Sequence, residues 1–358
     1  MTYAVIMAGG VGSRFWPMSR KDHPKQFIEV FKNHTLIQNT VARLQGFIPP
    51  EQCFIVTNER YVEQTREQLP AIPAGNILAE PIARNTAPCI AYAAHRLRML
   101  DPEATMIVLP ADHIIQNVKR FHEVLQHGVQ AAGREGALVT IGIEPSFPAT
   151  GYGYIQFEGA VDHETDDVKV YPVKTFAEKP DIETACRFID SGDFLWNSGM
   201  FIWQVDSVLD AIGEHLPDVA EAFSTMEENI DTKNETSAIR QAYEDCPNIS
   251  IDYGVMERSG NVFVVPGDFD WNDVGDWKAV YDLREKNSSG NVILGNVIVE
   301  DARNCMVQAN DRLIVLVGMD HTIVVDTGDA TLICHQDHTQ QVKQVVDYLN
   351  SEQLDKYI

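Results

Sequence analysis

The chain has 358 residues, a formal net charge of −24 and 44% hydrophobic residues. Its length allows one large domain with a small one, or two medium ones, each around its own core. The negative balance argues against nucleic acid or an anionic membrane as a partner, and no apolar run is long enough for a signal or membrane helix.

Met1-Thr2-Tyr3 leads directly into Ala4-Val5-Ile6-Met7, a short apolar run that reads as a buried strand. It breaks into Ala8-Gly9-Gly10-Val11-Gly12-Ser13-Arg14, where glycines let the backbone turn sharply and bring its N–H groups close to an anion. Arg14, Arg20, Lys21 and Lys25 follow against the single acid Asp22, which predicts a local positive pocket for a polyphosphate in an otherwise anionic chain. A dinucleotide fingerprint begun at Gly10 and Gly12 meets Phe15 where its third glycine belongs, and the Gly-Lys-Ser/Thr of a P-loop is missing. Both of those phosphate loops are excluded.

Strands and helices alternate through the first half. Residues 53–57, 76–79 and 105–109 read as strands; 59–69 and 86–100 read as helices. The pattern implies an α/β fold with a mostly parallel sheet covered on both faces, whose ligands bind beyond the carboxyl ends of the strands. That rule puts residues 9–14, 80–86 and 110–113 on one rim. Further on, 168–176 is a strand candidate, 181–191 a helix and 205–239 largely helical. The strings 150–154 and 196–200 look turn-like, and the acid pairs Asp166-Asp167 and Glu227-Glu228 read as solvated. From about Gly290 the texture becomes β-rich, at 291–294, 296–299, 313–317 and 322–325, before a closing helix at 340–349. A domain boundary is expected at 284–290, separating 1–286 from 287–358. Cys53, Cys89, Cys186, Cys246, Cys305 and Cys334 lack C-x-x-C spacing, so neither a disulfide framework nor a zinc knuckle is expected, and a reducing cytoplasm fits.

Asp112 follows an apolar strand, where a carboxylate would face the rim or simply form a turn. Asp273 lies in Asp270-Trp271-Asn272-Asp273-Val274-Gly275-Asp276. Two carboxylates from distant parts of the chain can hold one Mg²⁺ that keeps several waters; on composition alone Asp270 and Asp276 compete with Asp273. Asn85 or Thr86 reads as an N-cap with Pro88 in the first helical turn, and a helix N-terminus is also a donor site for an anion. His335 and His338 read as exposed polar residues.

GGVGSRFWPMSRKDHPKQF (9–27), RNTAP (84–88), LPADH (109–113), TGYGYI (150–155), EKPD (178–181), WNSGMF (196–201), SIDYGVME (250–257) and WNDVGDW (271–277) occur in one order. Together they resemble the sugar-1-phosphate nucleotidyltransferases, in the mannose-1-phosphate guanylyltransferase branch. The resemblance implies a Rossmann-like nucleotidyltransferase domain followed by a small C-terminal part like a left-handed β-helix, and a homodimer. It implies transfer of GMP from GTP to mannose 1-phosphate, giving GDP-mannose and pyrophosphate by in-line displacement without a covalent intermediate. Ala8, Gly9, Gly10, Gly12, Ser13, Arg14, Lys25, Asn85, Thr86 and Asp112 would bind the nucleotide. Gly153, Glu178, Lys179 and Asn197 would bind the sugar phosphate, and Asp112 with Asp273 would hold Mg²⁺. Arg14, Lys25, Asp112 and Asp273 are the expected catalytic set. The role of 250–257 stays open. The isomerase domain of bifunctional members is not seen in the sequence, so guanylyl transfer without isomerase activity is expected. Transfer to a heptose or glucose 1-phosphate, or a non-catalytic regulatory role, are the alternatives.

Overall fold

A computed structural model describes residues 1–31, 34–159 and 169–358. The pair Asp166-Asp167 and the first residue of the strand expected at 168–176 lie outside the described residues. The chain divides into two compact units: the first comprises Met1–Gly9, Val41–Ala111 and Ile115–Trp271, the second Gly10–Thr40, Asp112–Ile114 and Asn272–Ile358.

In chain order the elements up to residue 272 are β1 (Thr2–Met7), α1 (Leu36–Ala42), β2 (Cys53–Asn58), α2 (Val62–Gln68), β3 (Ile77–Glu80), α3 (Thr86–Leu100), β4 (Thr105–Pro110), β5 (Ile114–Ile115), α4 (Val118–Ala132) and β6 (Leu138–Ile143). These are followed by β7 (Gly153–Phe157), β8 (Tyr171–Glu178), α5 (Ile182–Ser191), β9 (Phe194–Gln204), α6 (Val205–His215), α7 (Pro217–Glu227), α8 (Glu235–Asp245), β10 (Val262–Gly267) and β11 (Trp271–Asn272).

The first unit is built on a nine-stranded sheet in the order β3-β2-β1-β4-β9-β6-β10-β8-β7. β3, β2, β1 and β4 are parallel neighbours, with Val5 opposite both Phe54 and Val108. The unbroken apolar runs of β1, β2 and β4 are what a sheet buried on both faces requires. β9 then runs antiparallel to both β4 and β6, and β10 is parallel to β6 but antiparallel to β8, so the sheet is mixed. α3 lays its alanines on the core with Tyr92 and Leu97, and α6 and α7 complete that layer. The helical stretch expected at 205–239 is broken at Leu216, where Pro217 occupies the first turn of α7 and cannot continue α6.

The turn-like reading of 196–200 is overturned. These residues lie inside the eleven-residue strand β9, and the register against β6 slips between Thr140 and Gly142. Gly199 takes φ +68°, so the small residues that resembled a turn allow an irregularity within a paired strand. Gly153 and Tyr154 likewise open β7. Sheet pairing, a long-range effect, prevailed over local turn chemistry.

The second unit contains α9 (Trp277–Leu283), β12 (Val292–Leu294), β13 (Val297–Glu300), β14 (Met306–Gln308), β15 (Ile314–Val317), β16 (Thr322–Asp326), β17 (Thr331–His335) and α10 (Val342–Ser351). Short rungs stack in parallel as β12-β14-β16 and as β13-β15, with β17 closing antiparallel on β16. This β-helix-like coil shares one core with the glycine-rich segment: Phe15, Trp16, Ile28 and Val30 pack with Trp277, Val280, Met306, Ile323 and Val346. The packing unit is thus discontinuous in sequence.

Gly142 leaves no room for a side chain, since a Cβ there would stand 2.7 Å from Leu195 Cδ1 and 2.8 Å from Val264 Cγ2. Gly142→Ala is expected to cost about 1–3 kcal/mol by overpacking, read as a lowered denaturant midpoint. An unchanged midpoint would show that the β6–β9–β10 junction is not closely packed.

Candidate active site

In the second unit Lys25 is the centre of a small constellation. Its side chain is buried, and its ammonium donates to Asp112 Oδ2 at 2.8 Å and to the main-chain oxygen of Asp273 at 2.9 Å, above the Phe15 ring at 5.1 Å. Gly12, at φ +68°, passes so close that a Cβ would stand 2.2 Å from Lys25 Cβ, so only glycine fits there. Phe15 N–H donates to the Gly12 carbonyl at 2.9 Å and Ser19 Oγ donates to it at 2.8 Å, closing the loop around the short helical turn of Ser13–Phe15. Burial acts to raise the Asp112 carboxyl, but the charges of Lys25 and His113 outweigh it and hold the group below the usual carboxylate range.

Asp273 lies beside a strained backbone. Val274 has φ +46°, rare for a β-branched residue, and its N–H donates to Asn272 Oδ1 at 2.7 Å. Asp276 is removed from the contest for a metal: one oxygen caps α9 through Ala279 N–H, and the other accepts from Thr339 Oγ1 at 2.8 Å and Gln340 Nε2 at 2.6 Å. The expected cluster of four cations does not form. Arg14 is exposed, whereas Arg20 and Lys21 are engaged by Asp329 and Asp355.

The first unit carries the other expected residues in two groups. Ala8 is buried; beside Gly9, Glu80 Oε2 stands 3.0 Å from where a Cβ would be. Glu80 Oε1 accepts from Tyr243 O–H at 3.0 Å, and burial pushes the carboxyl up to about 7 despite that bond. Asn85, at φ +70°, caps α3 by accepting from Thr86 N–H at 2.9 Å, and Thr86 Oγ1 accepts from Ile251 N–H at 2.9 Å. Arg84 donates to the carbonyls of Tyr243 and Glu244 at 2.9 and 3.2 Å, a structural clasp.

The second group gathers Gly153, Glu178, Lys179 and Asn197. β7 pairs with both β8 and β9, which puts Gly153 opposite Glu178 and Tyr154 opposite Trp196. A Cβ on Gly153 would stand 2.3 Å from Glu178 Oε2 and 3.4 Å from Asn197 Cβ. Lys179, exposed and at φ +47°, lies 2.5 Å from Glu178 Oε1; burial acts to lower its ammonium but this bond holds it above its ordinary value. Asn197 Nδ2 donates to Asp252 Oδ1 at 2.7 Å, within the π-helical turn Asp252–Met256. Burial raises the Asp252 carboxyl, partly opposed by the Asn197 bond.

Asp252 and Glu80 are thus additions to the expected set. Both were legible as acids at the margin of apolar strings, Ile251 with Val255-Met256 and Ile77-Leu78-Ala79, but nothing in those strings named their partners. His335 and His338 are exposed, as expected.

The residues around Lys25 suit a hard divalent ion: a cation already sits at Asp112, and the donors are carboxylate and carbonyl oxygens. Among the described residues no group of three or more His, Cys, Asp or Glu could hold a metal. An ion at Asp112 would therefore draw most of its ligands from water and substrate oxygens.

The nucleotidyl transferase sequence model matches residues 3–290, and the model of the mannose-phosphate isomerase/GMP-like β-helix domain matches 295–349. The chain belongs to the nucleotidyl transferase family. It is similar to a mannose-1-phosphate guanylyltransferase of Escherichia coli, with 39% identity over 100% of this chain and 76% of the relative. It is also similar to the alginate biosynthesis protein AlgA of Pseudomonas aeruginosa, with 38% identity over 97% of this chain and 72% of that protein. A solved structure described as a mannose-1-phosphate geranyltransferase from Thermus thermophilus superimposes with a TM-score of 0.86 at 33% identity, covering 98% of this chain and 99% of that one. A mannose-6-phosphate isomerase from Helicobacter pylori superimposes with a TM-score of 0.60 at 26% identity, over 76% of this chain and 100% of that one. The family generally uses a divalent metal, and its members join a nucleoside triphosphate to a sugar 1-phosphate. No described helix is long and apolar enough to cross a membrane.

The raised Glu80 carboxyl makes stability depend on pH. The unfolded chain loses this proton near pH 4.5 and the folded one near 7, so the contribution is complete below 4.5 and is lost as pH rises to 7. Glu80→Gln is expected to remove a decline on the order of 3 kcal/mol across that window. Parallel pH–stability curves for variant and parent would sink the assignment.

Proposed function

We propose that the chain transfers GMP from GTP to α-D-mannose 1-phosphate, giving GDP-mannose and pyrophosphate. The observation that carries this reading is the buried Lys25 ammonium held by Asp112 and the Asp273 carbonyl beside the Gly12 turn, a buried cation in an otherwise anionic chain. The substrate pair rests on mannose-1-phosphate guanylyltransferases matched over the whole of this chain and 76% of their own length.

In this reading a phosphate oxygen of mannose 1-phosphate attacks the α-phosphorus of GTP. A new P–O bond forms, the bond from the α-phosphorus to the bridging oxygen breaks, and the electron pair leaves with pyrophosphate. Protein groups supply positioning and charge. The N–H groups of Gly10, Gly12 and Ser13 and the exposed Arg14 guanidinium receive the triphosphate, and Lys25 exchanges part of its contact with Asp112 for phosphate oxygen. Asn85 and Thr86, at the N-terminus of α3, lie against the guanine or ribose. Lys179 docks the attacking phosphate, which its retained positive charge favours, while Glu178, Asn197 and the open Gly153 backbone take sugar hydroxyls. Asp252 orients Asn197 through the 2.7 Å bond. Mg²⁺ on Asp112 and Asp273 would supply neutralisation of phosphate charge.

Residues 1–286 form the proposed catalytic domain and 287–358 the C-terminal one, in a cytoplasmic homodimer. The paired and exposed Ile298 and Val315 of β13 and β15 support association through that coil; a monomer in sedimentation velocity would contradict it.

The test is pyrophosphate release with Mg²⁺ across several nucleoside triphosphates and sugar 1-phosphates. Release with GTP and mannose 1-phosphate is expected; release only with another pair would replace the substrates and keep the chemistry. Asp273→Asn should lower kcat by at least about a hundredfold, the scale of losing an electrostatic group at developing charge, with an unchanged unfolding midpoint. Activity near the parent level would refute the metal assignment.

A further inference from the structure

The segment that follows Gly9 is held by residues far along the chain. Trp16 Nε1 donates to the Tyr357 carbonyl at 2.7 Å, and Arg20 Nη1 donates to the same oxygen, across 341 and 337 positions of sequence. Arg20 Nη2 reaches both carboxylate oxygens of Asp329, at 3.1 and 3.3 Å, and lies 3.4 Å from Thr327 Oγ1. Thr327 Oγ1 in turn donates to Asp329 Oδ1 at 2.9 Å. The guanidinium rests over the Trp16 indole, 5.5 Å from its centroid, and Ile358 packs on the core that contains Phe15 and Trp16.

A lone surface ion pair is worth little. Here the Arg20 side chain is only 16% exposed and its planar fork serves a carbonyl and a carboxylate at once, a geometry an ammonium cannot reproduce. Ser19, the next residue inward, bonds the Gly12 carbonyl, so the clasp connects directly to the turn that packs on Lys25.

We propose that Arg20 and Trp16 are positioning residues: by clasping Asp329 and the Tyr357 carbonyl, they hold the 10–25 loop in the shape that receives the nucleotide's phosphates. This rests on the assignment of that loop to the triphosphate. It also changes the role of Arg20, which charge pattern alone places among the phosphate-binding cations; its charge is spent within the protein.

The two roles predict opposite signs. If the neighbourhood of Arg20 acts by its field, Asp329→Asn removes a negative charge and should strengthen GTP binding, and Arg20→Lys should retain it. If Arg20 acts as a clasp, both changes should raise KM for GTP, by roughly five- to tenfold as charge-assisted hydrogen bonds are lost. KM for mannose 1-phosphate should stay within about twofold on the same scale. Trp16→Phe, which removes the indole N–H together with one ring of the side chain, should shift KM for GTP in the same direction and keeps the test available if an Arg20 variant fails to fold. Thermal midpoints verify folding of each variant. A KM for GTP that falls or stays level in Asp329→Asn, or full rescue by Arg20→Lys, would overturn the clasp, as would equal shifts in both KM values. A folded parent enzyme that releases no pyrophosphate from GTP and mannose 1-phosphate would instead overturn the functional reading beneath it.

Discussion

A buried ammonium is the interaction on which the second unit's arrangement depends. Taking the Lys25 charge out of water costs several kcal/mol, and the structure offsets that cost with one carboxylate, one carbonyl and the face of Phe15. Each partner comes from a different stretch of chain: Asp112 just beyond β4, Asp273 just beyond β11, Phe15 from the glycine-rich segment. None can move far without leaving a charge unpaired. The glycine at 12 follows from the same requirement, because a side chain there would collide with Lys25.

That arrangement makes sense in a protein of net charge −24. A polyphosphate approaching such a chain meets an unfavourable field unless donors are concentrated. The structure concentrates them sparingly. One lysine is buried in place, one arginine is exposed, and Arg20 and Lys21 pair with Asp329 and Asp355. The coil therefore belongs to the glycine-rich segment as much as to its own rungs, through a common core of Phe15, Trp16, Trp277 and Ile323.

Much of the first unit was legible because its signals are local. Apolar runs at 53–57 and 105–109 became β2 and β4, and the alanine-rich 86–100 became α3 to the residue. Nothing local marked β6, β10 or α4 strongly enough to be expected, and 196–200 was misread, because Ser198 and Gly199 carry turn chemistry that only pairing with β6 overrides. The site divides in the same way. Lys25, Asp112 and Asp273 were identifiable by resemblance, but the resemblance did not show that Asp276 is occupied in capping α9 and bonding Thr339, or that Arg20 and Lys21 turn away to Asp329 and Asp355.

The sequence by itself determined the family, the order of its motifs and the glycine that the turn at position 12 requires, since each follows from residue type and short-range spacing. Tertiary structure alone decided which charges meet. The bonds of Lys25 with Asp273, Asn197 with Asp252, Asp276 with Thr339 and Arg20 with Asp329 each join residues more than fifty positions apart in sequence. Such contacts leave no periodic trace in the chain, because they are fixed by how each unit packs, and a charged side chain settles on whichever partner that packing brings within reach.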